Sequence, residues 1–165
     1  MATSVLPPYG GSVLQNGSSG PDVALVQRWL NGLRGKWPVL RPVSVDGRYG
    51  SGTAAAVKLF QALTGLKEDG RVGSATWNKL YDEYAALHGA GEIYPGISQR
   101  TGHRGAAVKS SQEHLQQLIP ALDADGKFGA KTKQAVEAHQ TLQNLKADGI
   151  IGPKTWASLF GRSAD

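Results

Sequence analysis

Asp46-Gly-Arg-Tyr-Gly-Ser-Gly-Thr53 is followed by Asp69-Gly-Arg-Val-Gly-Ser-Ala-Thr76, and the phrase returns as Asp125-Gly-Lys-Phe-Gly-Ala-Lys-Thr132 and Asp148-Gly-Ile-Ile-Gly-Pro-Lys-Thr155. The third and fourth copies stand 79 residues after the first and second (125 − 46 and 148 − 69). A pair of phrases, with what lies between, is therefore the unit that has been duplicated. The intervening stretches align without a gap, Ala56-Val57-Lys58-Leu59-Phe60-Gln61 against Ala135-Val136-Glu137-Ala138-His139-Gln140, and Thr76-Trp77 against Thr155-Trp156. Upstream the match resumes at an offset of 85, pairing Val23, Val26, Gln27 and Leu30 with Val108, Ser111, Gln112 and Leu115. The six extra residues (85 − 79) fall in the first copy's Arg34–Pro42 stretch, where Gly35, Pro38 and Pro42 exclude regular helix and predict a longer surface loop.

Tyr9-Gly10-Gly11 and Tyr94-Pro95-Gly96 open the two copies, and Gly89-Ala90-Gly91 marks the boundary between them. The 165 residues thus divide into modules at 1–88 and 89–165, each near the lower size limit for an independent core. Mutual packing is one way such modules gain stability. Val23, Val26, Leu30 and Leu33 recur at helical spacing behind Pro21-Asp22, and Val108, Leu115 and Leu118 answer them after Gly105. A second helix carries Val57, Phe60 and Leu63 on one face and ends near Gly65, with Asn144 closing its counterpart. The third begins at Trp77 in one copy and Trp156 in the other. No period-two alternation is long enough for a sheet, so the fold class is all-α: two tandem three-helix bundles.

Each phrase reads as a loop that launches a helix. Asp-Gly is a turn dipeptide in which Asp bonds backbone amides two residues on and Gly takes positive φ. The next apolar residue (Tyr49, Val72, Phe128, Ile151) plugs the core, and the following Gly serves as N-cap, with Pro153 suited to the first helical position. The four aspartates are thereby assigned to turn formation rather than chemistry. Matched glutamines, Gln27 with Gln112 and Gln61 with Gln140, either bond loop backbone or line a groove for a polar ligand. Trp77 and Trp156 belong to the core. Trp29 lies off the apolar stripe of its helix and Trp37 sits in the inserted loop, so both are expected to be partly exposed. His139 replaces Phe60, either as a half-buried structural histidine or as the mark of a remodelled surface in the second copy.

With no cysteine, disulfides and thiol chemistry are excluded. The four histidines have no metal-ligand spacing, and Asp123-Ala-Asp125-Gly126 lacks the first ligand and the closing Glu of a calcium loop, so no metal or cofactor is expected. Neither a Ser nucleophile motif nor a legible pair of catalytic carboxylates is present, and no catalytic residue is assigned. Eighteen Lys and Arg against thirteen acids give a net charge of +5, divided nine cations to each half without a dense basic run, which disfavours nucleic acid as partner. No apolar run reaches the roughly 18 residues of a membrane span, and Met1–Tyr9 lacks a basic region followed by an apolar core.

The ordered series Val-x-x-x-Gln-x-x-Leu, Asp-Gly-x-(Tyr/Phe)-Gly-x-x-Thr, Ala-Val-x-x-x-Gln and Asp-Gly-x-(Val/Ile)-Gly-x-x-Thr-Trp resembles the type 1 peptidoglycan-binding domain. It occurs twice, over about Tyr9–Leu87 and Tyr94–Phe160. The resemblance implies compact three-helix domains that bind bacterial peptidoglycan without catalysis, targeting or anchoring their carrier at the wall in the extracellular space. Glycan N-acetyl groups and stem peptides are the implied contacts, with teichoic acid or a separate wall hydrolase as further partners. Carried over by position, the implied ligand residues are Asp46, Arg48, Tyr49, Thr53 and Gln61 in the first copy and Asp125, Lys127, Phe128, Thr132 and Gln140 in the second. Arg48 and Lys127 suit stem-peptide carboxylates. The second copy departs from the pattern at Ser110-Ser111, His139 and Asn144. The alternative reading is a structural protein–protein interaction module, which predicts a contiguous apolar patch around Trp29, Trp37 and Tyr84. A hydrolase in its own right would instead require a buried carboxylate of raised pKa facing a cleft.

Overall fold

A computed structural model describes residues 9–164; Met1–Pro8, on which the reading of the N-terminal segment falls, and Asp165 lie outside the described residues. Six helices follow in order, α1 Pro21–Gly32, α2 Ser51–Thr64, α3 Ser74–His88, α4 Ala106–Leu115, α5 Ala130–Leu142 and α6 Pro153–Phe160. The described residues contain no strand, only the isolated antiparallel bridges Leu14–Val72 and Ser19–Arg48 and their second-copy equivalents Gln99–Ile151 and Arg104–Lys127. Each bridge ties the segment before a module's first helix to one of its Asp-Gly phrases. The all-α expectation holds, and the duplication is visible in the loops as well as in the helices.

The phrases behave as their chemistry dictates. Gly47, Gly70, Gly126 and Gly149 all have φ between 70° and 77°, a region that costs a side-chain-bearing residue strain. Tyr49, Val72, Phe128 and Ile151 are buried, and Gly50, Gly73, Gly129 and Gly152 are the N-caps of α2, α3, α5 and α6. Gly65 closes α2 in the left-handed conformation, and Asn144 at φ 58° is the only non-glycine with positive φ among the described residues.

A buried glutamine holds each phrase. Gln27, 1% exposed on α1, donates from Nε2 to Asp46 Oδ1 (3.1 Å), the Arg48 carbonyl (2.9 Å) and Thr53 Oγ1 (3.1 Å). Its Oε1 accepts from the amides of Asp46 and Gly47 at 3.1 and 3.0 Å. Gln112 on α4 repeats the arrangement with Asp125 Oδ1, the Lys127 carbonyl, Thr132 Oγ1 and the Gly126 amide. The side chain has two protons and one carbonyl oxygen, and all are spent on one loop.

Three helix-face expectations need correction, at Trp29, Leu118 and Leu63, whereas Trp37 is partly exposed as expected. Trp29 is 1% exposed, because α1 packs against α2, α3 and α4 and is buried on nearly every side from Pro21 to Leu30. An apolar stripe describes a helix with one wet face, and α1 has almost none. Trp29 makes edge contacts with Trp77 (4.8 Å between centroids) and Tyr81 (5.9 Å). Leu118 lies beyond the end of α4 and is exposed, and Leu63 sits at the rim of α2, exposed as well. Trp37 is half-buried, its edge against Phe60 at 5.9 Å, so the inserted loop folds back on the core with Leu40 buried beneath it. His139 is half-buried, with Nε2 3.1 Å from Ser158 Oγ.

The second copy carries a polar exchange in its core. Gln99 and Ser111 occupy the positions of Leu14 and Val26, and Ser111 Oγ donates to Gln99 Oε1 at 2.9 Å with both residues at 1% exposure or less. An apolar contact has become a buried hydrogen bond, which explains how Ser111 is tolerated in the core.

The modules are docked. Asp22, on the first turn of α1, accepts the Ala106 amide at Oδ2 (2.8 Å) and the Ala107 amide at Oδ1 (2.9 Å), so one module caps the first helix of the other. The N-cap of α4 is Gly105, which has no side chain to do this, and a Cβ there would stand 2.2 Å from Asp22 Oδ2. Ala106 and Ala107 join the first module's apolar cluster, and the Arg28 guanidinium donates to the Tyr94 carbonyl.

Two predictions follow from these contacts. Replacing Gln27 by Ala strands the Asp46 and Gly47 amides and Thr53 in a dry site and should lower the unfolding free energy by about 2–4 kcal/mol in a urea titration; a loss below 0.5 kcal/mol would contradict the clasp. Burial raises the Asp22 carboxyl from an ordinary 3.8 to about 6, against the opposing pull of the Ala107 and Ala106 amides. The folded chain then holds a proton that the unfolded chain has released, so the stability contributed by this group is full below pH ~4 and lost as pH rises through about 6. The stability difference between wild type and Asp22→Asn should fall by about 2 kcal/mol between pH 4 and pH 7, and a pH-independent difference would show that the carboxyl does not titrate there.

Candidate functional site

The ten residues assigned by resemblance separate into two sets. Asp46, Arg48, Asp125 and Lys127 are exposed at the loop surface, whereas Tyr49, Thr53, Gln61, Phe128, Thr132 and Gln140 are all buried at 5% exposure or less. Tyr49 and Phe128 plug the core, and the Tyr49 hydroxyl donates to the Gly70 carbonyl at 2.6 Å, tying the first phrase to the second. Burial, then the Asp69 charge, raises the Tyr49 phenol well above its usual range.

Gln61 and Gln140 do not join the phrases with which position grouped them. Gln61 Nε2 donates to Asp69 Oδ1 (3.0 Å), the Arg71 carbonyl (2.8 Å) and Thr76 Oγ1 (3.1 Å), and its Oε1 accepts the Gly70 amide (2.9 Å). Gln140 makes the same set with Asp148, Ile150, Thr155 and Gly149. The partners of Asp46, Arg48 and Thr53 are instead completed by Gln27, and those of Asp125, Lys127 and Thr132 by Gln112. Of the two roles open to these glutamines, the structure shows the bonding of loop backbone.

The four phrase aspartates share one electrostatic environment. In each, the amide two residues on (Arg48, Arg71, Lys127, Ile150) is the largest influence and pulls the carboxyl below its usual range, with the clasping glutamine adding to it. These are fixed carboxylates at neutral pH, with one oxygen engaged inward and a solvated outer face.

Among the described residues, two concave regions adjoin these phrases. The first, about 460 Å3, lies between the modules: Tyr9, Ser12, Ser18, Ser19 and Asp22 form one wall, and Arg104, Lys109, Asp125 and Lys127 the other. The second, about 500 Å3, lies on the second module between Ser98 and Arg100 on one side and Lys146, Asp148, Lys154 and Thr155 on the other. Sequence reasoning missed the cations Arg104, Lys109, Arg100, Lys146 and Lys154. A signal existed for two of them, since alignment at the offset of 85 sets Arg104 against Ser19 and Lys109 against Ala24.

Asp22 meets the stated criterion for a hydrolytic acid, being buried, raised in pKa and on a cleft wall. Its geometry assigns it elsewhere, because each oxygen accepts a backbone amide of α4. Among the described residues no three His, Cys, Asp or Glu side chains gather into a metal-binding group, and no helix is long and apolar enough to cross a membrane. The apolar patch expected of a protein-interaction module loses its central member, Trp29, to the core, while Trp37 and Tyr84 are half-buried.

Comparison with known proteins places these features in a family. A family model described as a putative peptidoglycan binding domain matches twice, at residues 19–80 and 104–159. The chain is 32% identical over 171 residues to a probable N-acetylmuramoyl-L-alanine amidase of Bacillus licheniformis, covering 96% of this chain and 48% of the relative. It is 43% identical over 68 residues to the zinc D-Ala-D-Ala carboxypeptidase of Streptomyces albus G, covering 41% of this chain and 26% of the relative. Among solved structures, the SleB N-terminal domain is 34% identical, with 46% of this chain and 97% of that one covered at a TM-score of 0.40. The chain thus spans less than half the length of these curated relatives. With both matched segments coinciding with the two helical modules and their clasped phrases, this chain belongs to the peptidoglycan-binding domain family, which it carries as a tandem pair.

Proposed function

We propose that the chain binds bacterial cell-wall peptidoglycan without catalysis, through two modules occupying residues 1–88 and 89–165, and so holds its carrier at the wall. The observation that carries this reading is the double family match over both modules. The relatives' names support the setting, since amidase and carboxypeptidase are wall-directed activities and the shared part is the part this chain contains. The proposed partners are peptidoglycan and a hydrolase, in the same polypeptide or separate, with teichoic acid as an electrostatic accessory drawn by the net charge of +5.

The contact residues we propose are the exposed members of the first and third phrases, Arg48 with Asp46 and Lys127 with Asp125. The remaining carried-over positions, Tyr49, Thr53, Gln61, Phe128, Thr132 and Gln140, act in this reading by fixing the loop that presents those charges. A single exposed cation and its loop make a weak site, and a polymer that repeats its epitope lets two sites act together through effective concentration.

The test is co-sedimentation with insoluble peptidoglycan, intact and stripped of teichoic acid, at low and high salt, with released sugar and peptide measured in the supernatant. Retention on stripped walls at high salt without release is the expected result. Arg48→Ala together with Lys127→Ala should reduce retention at least tenfold while leaving the unfolding midpoint within the range of ordinary surface substitutions. Binding that disappears with the teichoic acid would reduce the reading to charge attraction, and released fragments would make the chain an enzyme.

A further inference from the structure

The inter-module cleft has one wall, from the second module, with a charge arrangement that the first module lacks. Arg104 and Lys127 are partners in an antiparallel bridge, which puts their side chains side by side on one loop pair. Lys109, one turn into α4, has its Cβ 3.8 Å from where a Cβ on Gly126 would stand, so its stem rises beside the same phrase. All three cations are exposed, all three line the cleft, and none forms an ion pair among the described residues, where the only such pairs join Lys36 and Lys79 to Glu83. The equivalent positions in the first module are Ser19, the buried Ala24 and Arg48, so two of the three charges are additions found only at the seam.

The opposite wall supplies different chemistry. Ser18 and Ser19 offer hydroxyls, and Tyr9 stands at the end with its ring edge toward Trp77 at 6.2 Å. Two acids also line the space. Asp22 is spent on the α4 amides, while Asp125 engages Oδ1 with Gln112 and the Lys127 amide and keeps its outer oxygen for solvent. A volume of about 460 Å3 falls within the range of small-molecule clefts.

We infer that this cleft is a composite binding site for a short zwitterionic peptide, with carboxylates held by Arg104, Lys109 and Lys127 and an ammonium held by Asp125. This rests on the wall-binding reading for the source of the peptide, a peptidoglycan stem, and places one ligand across both modules. The two acids discriminate in favour of a zwitterion, since a phosphate polymer would bring anionic charge past Asp22 and Asp125 without a cation to answer them. The Asp22 cap acts here as a positioning device: it fixes the serine wall opposite the cationic wall, so the site is preformed and its occupancy costs little ordering.

The probe is the synthetic tripeptide L-Ala-γ-D-Glu-L-Lys, titrated into the full chain and followed by amide chemical shifts, alongside its fully amidated form and a glycerol-phosphate oligomer. The expected result is shifts centred on residues 104–109, 125–127 and 18–19, a loss of affinity of at least tenfold for the amidated peptide, and a comparable loss in the Arg104→Gln, Lys109→Gln, Lys127→Gln triple variant. These side chains are exposed and unpaired, so that variant should melt like the wild type. Shifts confined elsewhere, equal binding of the amidated peptide, or a preference for the phosphate oligomer would each overturn the inference. Sedimentation separates it from the wider reading: wild type and an Arg104→Gln, Lys109→Gln double variant, which leaves Lys127 in place, retained equally on stripped walls would sink the cleft and leave wall binding intact, whereas failure of the wild type to sediment, with the tripeptide still bound in the cleft, would sink wall binding and leave the cleft.

Discussion

A glutamine side chain turned onto an Asp-Gly loop is the contact on which the rest of this protein depends. Each of the four loops must change direction sharply, plug the core with one apolar residue and launch a helix from a glycine that has no capping side chain. Such a loop has buried amides and carbonyls that its single bridge to the segment before the first helix satisfies only in part. Gln27, Gln61, Gln112 and Gln140 satisfy more of them from the preceding helix, each reaching the Asp carboxylate, a carbonyl, the Thr hydroxyl and the glycine amide. Because a buried polar group left alone costs more than a satisfied one gains, the clasp is conserved in form across all four loops even where the apolar plug varies from Tyr to Ile.

The clasp also decides which residues remain for function. It turns the glutamines, threonines and one oxygen of each aspartate inward, leaving the side chains at Arg48, Arg71, Lys127, Lys131 and Lys154 as the outward cations of the phrases. The same economy applies at the junction of the modules, where a carboxylate that could have been a cleft acid is consumed by the amides of α4. Small modules with limited cores gain from such a contact, since capping a neighbour's helix stabilises both helix and orientation. The docked arrangement then creates a cleft with walls from different modules, and its cations Arg104 and Lys109 have no counterpart in the first copy.

Much of this was legible in the sequence because it is local and repeated. The four phrases gave the loops, caps and plugs through the φ demands of Gly and the turn chemistry of Asp, and the 79-residue offset gave the duplication. Trp29 was misplaced because a periodic stripe assumes one packed face, whereas α1 is enclosed by helices that include one from the other module. The sequence leaves two roles open to the glutamines, since a polar residue beside an apolar face has the same pattern whether it grips a loop or a ligand.

Sequence alone determined the all-α class, the two modules, the boundaries of most helices and the family resemblance, all of which follow from spacing and from residue types with strong backbone preferences. Tertiary structure alone decided which glutamine serves which phrase, that Asp22 caps a helix 84 residues away, and that Arg104, Lys109 and Lys127 share a cleft with the first module's serines. Those facts depend on how two similar modules pack against each other. That packing is set by a few non-local contacts whose signature, an Asp here and a Gly there, is indistinguishable in one dimension from an ordinary helix start.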